Sequence, residues 1–463
     1  MLAPLPAPSA PEKSGVPVQT VDQLLCGAEW LVICDHEMRC IHDGAVAIDR
    51  GLLVSVDRTA AVRHRFRGRR ETDLRGHLLM PGLVNTHTHA AMSVFRGLAD
   101  DLPLDRWLYD VIFPAEAALV GPEMVYWGTM LSCAEMLRNG ITTFCDGYFF
   151  EEEAAQAALD AGMRAILGQG ILDFPSPDQP DPSKARDRAL QFLDVFPTSD
   201  RIRPSLFCHA PYTCGQDTLQ WTKALCRERG ILFQIHLSET ASEVDTLLER
   251  TGLRPALYLD SLGLLDSGTL CAHGVWLDQE EMTRMAARGT RLAHNPESNM
   301  KLASGIAPLP DLLACGVCVG LGTDSCASNN DLDLFTEMDR AAKMSKVFRR
   351  DPTVASAREV LAMATREGAR AIGWEEAIGS LEVGKLADLI ALDLRQPHLT
   401  PLYDPISTLV YCAKGSDVRY AWVAGQMVLD NRQVVSAHAE AIPVQIRRIL
   451  AGLPLRALGT QEL

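Results

Sequence analysis

No stretch of about eighteen uninterrupted apolar residues occurs in the 463-residue chain, so no membrane-spanning helix is expected. Excess positive charge is absent too: 44 Lys and Arg stand against 59 Asp and Glu, a net charge of −15. Nucleic-acid binding draws its affinity from clustered cations. The one dense basic run, RHRFRGRR at residues 63–70, is short and flanked by acids, and a solvated turn is expected there. The opening MLAPLPAPSAPEKSG has neither the basic start nor the continuous apolar core of a secretion signal. A disordered, proline-rich tail over residues 1–20 is expected instead. A paired cysteine framework is missing as well: the 13 cysteines are odd in number and scattered through apolar segments. That is the pattern of reduced core thiols in a cytoplasmic protein.

What is present is ordinary globular material, 47% hydrophobic and 22% charged, long enough for one large domain and a smaller one. Two motifs lead nowhere. GSLEVGK at 379–385 has the spacing of a phosphate-binding loop, but Leu386 stands where a magnesium-binding Ser or Thr should follow. CGVC at 315–318 has redox spacing, yet it runs into the apolar CVGLGTDS and is better explained as a strand start. The segment PGLVNTHTHAAM at 81–92 is different, because it places His87 and His89 one residue apart at the end of an apolar run. Side chains two apart on a strand share a face, so both imidazoles can converge on one point, which is metal-ligand geometry if partners exist elsewhere.

Short β-rich runs alternate with helical stretches along the middle of the chain. The runs end at His89 and cover 141–148, 164–171, 205–212, 232–239, 269–276, 290–297 and 318–325. Between them lie helices such as 122–138, with a stripe of Met124, Trp127, Leu131 and Ala134 and Gly140 as a stop signal. Buried parallel strands with helical crossovers, eight times over, imply a closed (β/α)8 TIM barrel. His87, His89, Asp146, His209, His236, His273, His294 and Asp324 all fall near C-terminal strand ends, which form the active-site mouth of such a barrel. Histidines with an aspartate suit Zn²⁺ or another first-row divalent ion.

The flanks have another texture. Residues 21–80 and 380–436 read as short strands and turns, two halves of one small β-sandwich around a barrel at 81–379, with a helical segment at 437–463. The long gap after His89 contains FRGLADDLPLDRWLYDVIFPAE, apolar and charged together, a candidate substrate cover.

PGLVNTHTHAAM, HLSET, CAHGVWL, HNPESNMKLASGIAPL, GTDSCASNN and GSLEVGKLADLI together resemble the amidohydrolase superfamily and, within it, the methylthioadenosine/S-adenosylhomocysteine deaminase group. The match runs over nearly the whole chain after the tail. The resemblance implies one divalent metal ion, most simply Zn²⁺, held by His87, His89, His236 and Asp324. It makes Glu239 the proton shuttle and His273 and Asp324 its catalytic companions, with Trp107, Glu116, His209, Gln169, Glu239 and Asp324 as substrate contacts. Glu116 is the implied partner of the ribose hydroxyls. Some relatives bridge two metals with a modified lysine on the fourth strand; here no lysine occurs between Lys184 and Lys223, which points to a mononuclear centre.

Members of the group that bind a homocysteine tail do so with arginines, one of them on the third strand, where this chain has Gln169. Gln cannot make the bidentate ion pair that Arg gives a carboxylate. Lys184, Arg186 or Arg188 are candidates to replace it. The expected substrate is therefore an adenine nucleoside, with methylthioadenosine, 5′-deoxyadenosine or adenosine handled at least as well as S-adenosylhomocysteine. The alternatives are an amine- or halide-bearing heterocycle such as a triazine or a guanine-like ring, and an inactive binding protein on the same barrel. A nucleic-acid deaminase would need a basic channel and a His/Cys ligand pattern that this chain lacks. A homo-oligomer is the implied assembly.

Overall fold

The computed structural model describes residues 18–451, so the expected tail lies outside the described residues up to position 17, as do residues 452–463. The chain opens with five strands, β1 (Gln19–Val32), β2 (Cys40–Asp49), β3 (Leu52–Arg58), β4 (Phe66–Asp73) and β5 (His77–Pro81). Eight more follow with helices between them: β6 (Leu83–Thr88), β7 (Ile141–Tyr148), β8 (Arg164–Ile171), β9 (Ile202–Cys208), β10 (Leu232–Leu237), β11 (Thr269–His273), β12 (Arg291–His294) and β13 (Cys318–Leu321). The last four are β14 (Leu389–Asp393), β15 (Val418–Val423), β16 (Gln426–Asp430) and β17 (Gln433–Val434), ahead of a final helix at Ile442–Leu450.

Strands β6 to β13 pair in sequence order and all in parallel. Their side chains are buried almost without exception, as strands covered on both faces must be. The seam between β13 and β6 is closed by specific bonds: Asp324 N donates to His87 O at 3.0 Å and Thr86 Oγ1 to Leu321 O at 2.9 Å. Asn85 adds two, donating to Thr323 Oγ1 at 2.8 Å and accepting from Thr323 N at 3.1 Å. Gly322 is required there, since a Cβ would sit 2.4 Å from Asn295 Oδ1 and 2.8 Å from His87 O. The expected barrel is thus present, and its closing bonds join two of the candidate ligands.

The other nine strands, from both ends of the chain, are hydrogen-bonded into one sheet in the order β17-β16-β15-β14-β5-β1-β2-β3, with β4 on β1. The sheet curls over a shared core that includes Leu25, Val46, Leu53, Leu79, Leu389 and Trp422. The chain leaves it for the barrel at Gly82, whose N–H donates to Asp388 O at 3.0 Å. Asp388 also ties the two units together through a bidentate pair with Arg164 on β8, at 2.8 and 3.2 Å, both side chains 2% exposed.

Three local expectations change. Residues 63–70 are the end of a helix (Thr59–Arg65) and the start of β4, not a turn. Phe66 is buried, while Arg63 and Arg69 pair outward with Glu71 at 3.0 Å and Asp22 at 2.6 Å. The helix Pro122–Arg138 buries Met124 as expected, but Trp127, Leu131 and Ala134 are only half-buried. Its inner face is carried by Gly128, Thr129, Ser132 and Cys133, small residues that admit the backbone of Ala91 (a Cβ on Gly128 would meet Ala91 O at 2.5 Å). Lys385 of the GSLEVGK run spends its ammonium on Glu375 O at 2.6 Å and Ser380 Oγ at 2.8 Å, a structural role. All 13 cysteines, those of CGVC included, are unpaired.

Candidate metal centre and its cavity

β6 ends on His87 and Thr88, β10 carries His236 one residue before its end, and Asp324 follows β13 by three residues. Barrel closure brings these ends together. His87 Nε2 lies 3.3 Å from His236 Nε2 and 3.7 Å from Asp324 Oδ1, and His89 Nε2 lies 3.4 Å from the same oxygen. The ligand atoms of His87, His89 and Asp324 all fall within 4.8 Å of one another, as do those of His87, His236 and His273. The Phe207 ring packs against His87, His89 and His236 at 6.1, 5.7 and 4.9 Å and shields them from water.

The outer atoms of each ligand are spoken for. His89 Nδ1 donates to Gly147 O at 2.6 Å, which leaves the Nε2 lone pair facing the other ligands. Asp324 Oδ2 accepts from Ser298 Oγ at 2.6 Å and Ser328 Oγ at 3.0 Å, and Oδ1, beside the imidazoles, accepts only Ser325 N at 2.8 Å among the described residues. Burial drives the protons off His87 and His236 and lowers both well below the ordinary histidine range, each aided by its imidazole neighbours. For Asp324 burial works the other way, but the facing His273, His89 and His87 outweigh it and hold the carboxyl below its usual range. Neutral imidazoles and an ionised carboxylate are the protonation states a divalent cation demands. Three nitrogens and one oxygen fit zinc.

His273 and Glu239 stand beside this set. Glu239 Oε2 is 3.8 Å from His273 Nε2, and Oε1 accepts from Ser304 Oγ at 3.2 Å. Burial raises the Glu239 carboxyl, and Asp324 adds to the rise. His273 Nδ1 is held by Asn299 Oδ1 at 2.9 Å; burial opposes its charge, yet Glu239 and Asp324 raise its pKa above the ordinary value. Glu243 supports the turn beneath, its two oxygens accepting Ser238 N and Glu239 N, each at 2.8 Å. Ser238, His273 and Asp324 all have left-handed backbone (φ 51°, 74° and 57°), strain of a kind that clusters at functional sites.

A cavity of about 510 Å³ opens above the centre, lined at its base by His89, His209, His236, Glu239, His273 and Asp324. Trp107 and Glu116 of the cover segment line its wall. Trp107 begins a single wide π turn (Trp107–Ile112) that runs into the helix Phe113–Leu119. Glu116 accepts from Tyr148 Oη at 2.6 Å, and burial pushes its carboxyl up to about 7. His209 Nδ1 meets Thr213 Oγ1 at 3.0 Å, and burial lowers the ring to about 4, so Nε2 is a neutral acceptor.

Other expected residues are placed elsewhere. Gln169 is buried but does not line the cavity; its amide donates to Asp178 Oδ2 at 2.8 Å, because the strand turns Gly170 rather than Gln169 inward. Arg188 is spent on Asp178 and Glu152, Lys184 lies 3.9 Å from Asp181, and Arg186 is exposed; none lines the cavity. Asp146 Oδ1 accepts Ala90 N and Gly147 N at 2.9 and 3.0 Å, bracing the ligand strands rather than joining the ligands. His294 is buried outside both ligand groups. Sequence reasoning assigns no role to Ser298, Ser328, Asn299, Ser304, Thr213 or Glu243, although HNPESNMKL, GTDSCASNN and HLSET lead into or contain several of them.

Comparison with known proteins agrees with this geometry. The sequence profile described as the amidohydrolase family matches residues 78–428. A 5-methylthioadenosine/S-adenosylhomocysteine deaminase of Syntrophobacter fumaroxidans is 48% identical over 92% of this chain and 97% of its own length. A 5′-deoxyadenosine deaminase of Methanothermobacter thermautotrophicus is 44% identical over 85% of this chain and 91% of its own length. The crystal structure of an adenosine deaminase from Xanthomonas campestris with bound zinc superposes with a TM-score of 0.92 at 38% identity, covering 95% of this chain and all (100%) of that one.

Proposed function

The chain belongs to the amidohydrolase family, and from its site we propose that it hydrolyses the exocyclic amine of an adenine nucleoside, releasing the inosine analogue and ammonia. The observation that carries the proposal is the pairing, in one cavity, of a His87/His89/His236/Asp324 centre with buried Glu239 at its base and buried Glu116 on its wall. The named activities of the relatives, all on adenine nucleosides, support it.

Bound by His87, His89, His236 and Asp324, Zn²⁺ supplies Lewis-acid polarisation and a water that ionises near neutral pH. The side chains divide the rest of the work. Asp324 takes the proton of the attacking water, and His273, fixed by Asn299, holds that water in line with the amine-bearing carbon. Glu239 protonates the adjacent ring nitrogen, so that the ring accepts the electron pair as the new C–O bond forms. The proton taken up by Asp324 passes to the amine, the C–N bond breaks and ammonia leaves. Glu116 accepts hydrogen bonds from the ribose hydroxyls, Trp107 lies along the sugar, and the His209 acceptor holds the nucleoside.

No helix among the described residues is long and apolar enough to cross a membrane. Thirteen unpaired cysteines support a cytoplasmic location, and the net charge of −15 supports a small-molecule rather than a polyanionic partner. Assembly as a homo-oligomer belongs to the same reading and is checked by light scattering. The function is tested by measuring ammonia release from adenosine, 5′-deoxyadenosine, 5′-methylthioadenosine and S-adenosylhomocysteine beside an aminotriazine and guanine. Turnover of the riboseless rings alone would overturn the reading.

A further inference from the structure

The loop after β8 closes the outer end of the cavity. Phe174, Pro175, Ser176, Pro177 and Pro180 line that end, and Phe174 packs at 6.2 Å on Phe113, one turn ahead of Glu116. A narrow bridge shapes the loop, Ser176 N to Gln179 O at 3.0 Å and Gln179 N to Ser176 O at 3.2 Å. One side chain then anchors it to the barrel. The carboxylate of Asp178 is 0% exposed, and its Oδ2 accepts from Gln169 Nε2 at 2.8 Å, Arg188 Nε at 3.1 Å and Phe150 N at 3.3 Å. Its Oδ1 accepts from Ser176 Oγ at 3.1 Å. The donors come from β8, from the helix Ala185–Val195, from the residue before the helix Glu151–Ala161 and from the loop itself. Arg188 is balanced in turn by Glu152, at 2.8 and 2.9 Å.

We propose that Asp178 is a positioning residue that fixes this loop over the substrate's 5′ group and so selects a small, uncharged, apolar 5′ substituent over one that ends in charges. The inference rests on the nucleoside reading above. Among the described residues no Lys or Arg lines the cavity. Pro175, Pro177 and Pro180 have no N–H to offer a carboxylate. An amino-acid tail seated against Phe113, Phe174 and the prolines would bury its charges without partners, which is costly, whereas a methylthio group gains by burial there. The one nearby cation, Arg188, is already shared between Asp178 and Glu152, and Gln169 is committed to the same anchor instead of reaching the ligand.

The test is steady-state kinetics of the zinc-loaded enzyme, Asp178→Asn and Ser176→Ala with adenosine, 5′-methylthioadenosine and S-adenosylhomocysteine. The wild type is expected to prefer the methylthio nucleoside to the homocysteine one by at least about 100-fold in kcat/KM, the scale at which an unpaired buried polar group is rejected. Asp178→Asn should raise KM for 5′-methylthioadenosine about tenfold, the weight of roughly one methylene contact, with kcat within about twofold. The KM for adenosine, whose 5′ hydroxyl falls short of the loop, should change less than about threefold by the same scale. Ser176→Ala removes a single bond to the same carboxylate, leaves the barrel intact, and should shift the KM ratio the same way by a smaller factor. Equal effects on all nucleosides, an unaltered ratio in both variants, or a wild-type preference for S-adenosylhomocysteine would overturn the proposal. Failure of every nucleoside to release ammonia would instead sink the nucleoside reading itself.

Discussion

Replacing Glu239 by Gln isolates proton transfer from everything else the site does. The amide keeps the side chain's shape, and Ser304 Oγ can still donate to its oxygen as it now does to Oε1 at 3.2 Å. The main-chain turn is held from below by Glu243 at 2.8 Å to Ser238 N and Glu239 N, so the backbone should not move. What disappears is a carboxyl whose pKa is raised by burial, poised to hold a proton nearer neutrality and release it to a ring nitrogen. A positioned acid–base group contributes about 10²- to 10⁴-fold, so kcat should fall by that factor, about 3–5 kcal/mol in barrier. KM should stay within about threefold, because an interaction used only in the transition state leaves ground-state binding alone. Zinc content should be unchanged, since Glu239 belongs to neither ligand cluster. The measurements are ammonia release under saturating nucleoside and metal analysis of the same preparation. Activity within tenfold of wild type would show that another group carries the proton, and loss of zinc would show that Glu239 is a ligand instead.

Three other perturbations have distinct signatures. His87→Ala and His89→Ala should each lose zinc and activity together, and full metal retention in both would refute the ligand assignment. The Glu116 carboxyl, pushed up to about 7 by burial, is neutral below that pH and ionised above it. Only the ionised form accepts from two hydroxyls, so KM for a ribonucleoside should fall as pH rises from about 6 to 8, whereas Glu116→Gln should show a higher KM with no such slope; a pH-independent wild-type KM would refute this. Arg164→Met leaves Asp388 buried without its cation and should cost about 3–5 kcal/mol of stability, seen as a lower urea midpoint, with the zinc site intact. A midpoint unchanged from wild type would show that the link between barrel and sheet lies elsewhere.

How far the sequence reveals this molecule depends on which physical signal each feature leaves. Buried parallel strands write themselves as apolar runs, so eight units and a barrel are legible. Their ends are not. The apolar runs extend to residues 239, 276 and 325, but β10, β11 and β13 stop at Leu237, His273 and Leu321. The left-handed backbone at Ser238, His273 and Asp324 breaks the ladder there, and composition carries no trace of it. That early stop has a consequence for chemistry: Asp324 lies beyond its strand in a turn, so Ser298 and Ser328 can grip one oxygen and leave the other to the imidazoles. Histidine spacing points to the ligands, but nothing in spacing points to the hydroxyls that aim them.

Gln169 illustrates the complementary failure. Its place on the third barrel strand is legible, yet whether a side chain at a strand end faces the cavity or the wall is decided by a single step of alternation. Gly170 takes the inward place here. Gly168 could not carry a side chain at all, with Gln234 Nε2 only 2.6 Å from where a Cβ would be. Gln169 is therefore left with the buried polar wall, where its useful partner is Asp178. A glutamine that reads in sequence as a lost grip on the substrate serves, in three dimensions, to hold the loop that covers it. Gln169→Arg separates the two views. If the position addressed the ligand, the arginine would improve turnover of S-adenosylhomocysteine. With the side chain committed to the wall, the new cation should instead pair with Asp178 and leave that substrate poor, and a rise of about tenfold or more in its kcat/KM would show that the wall is not what holds residue 169.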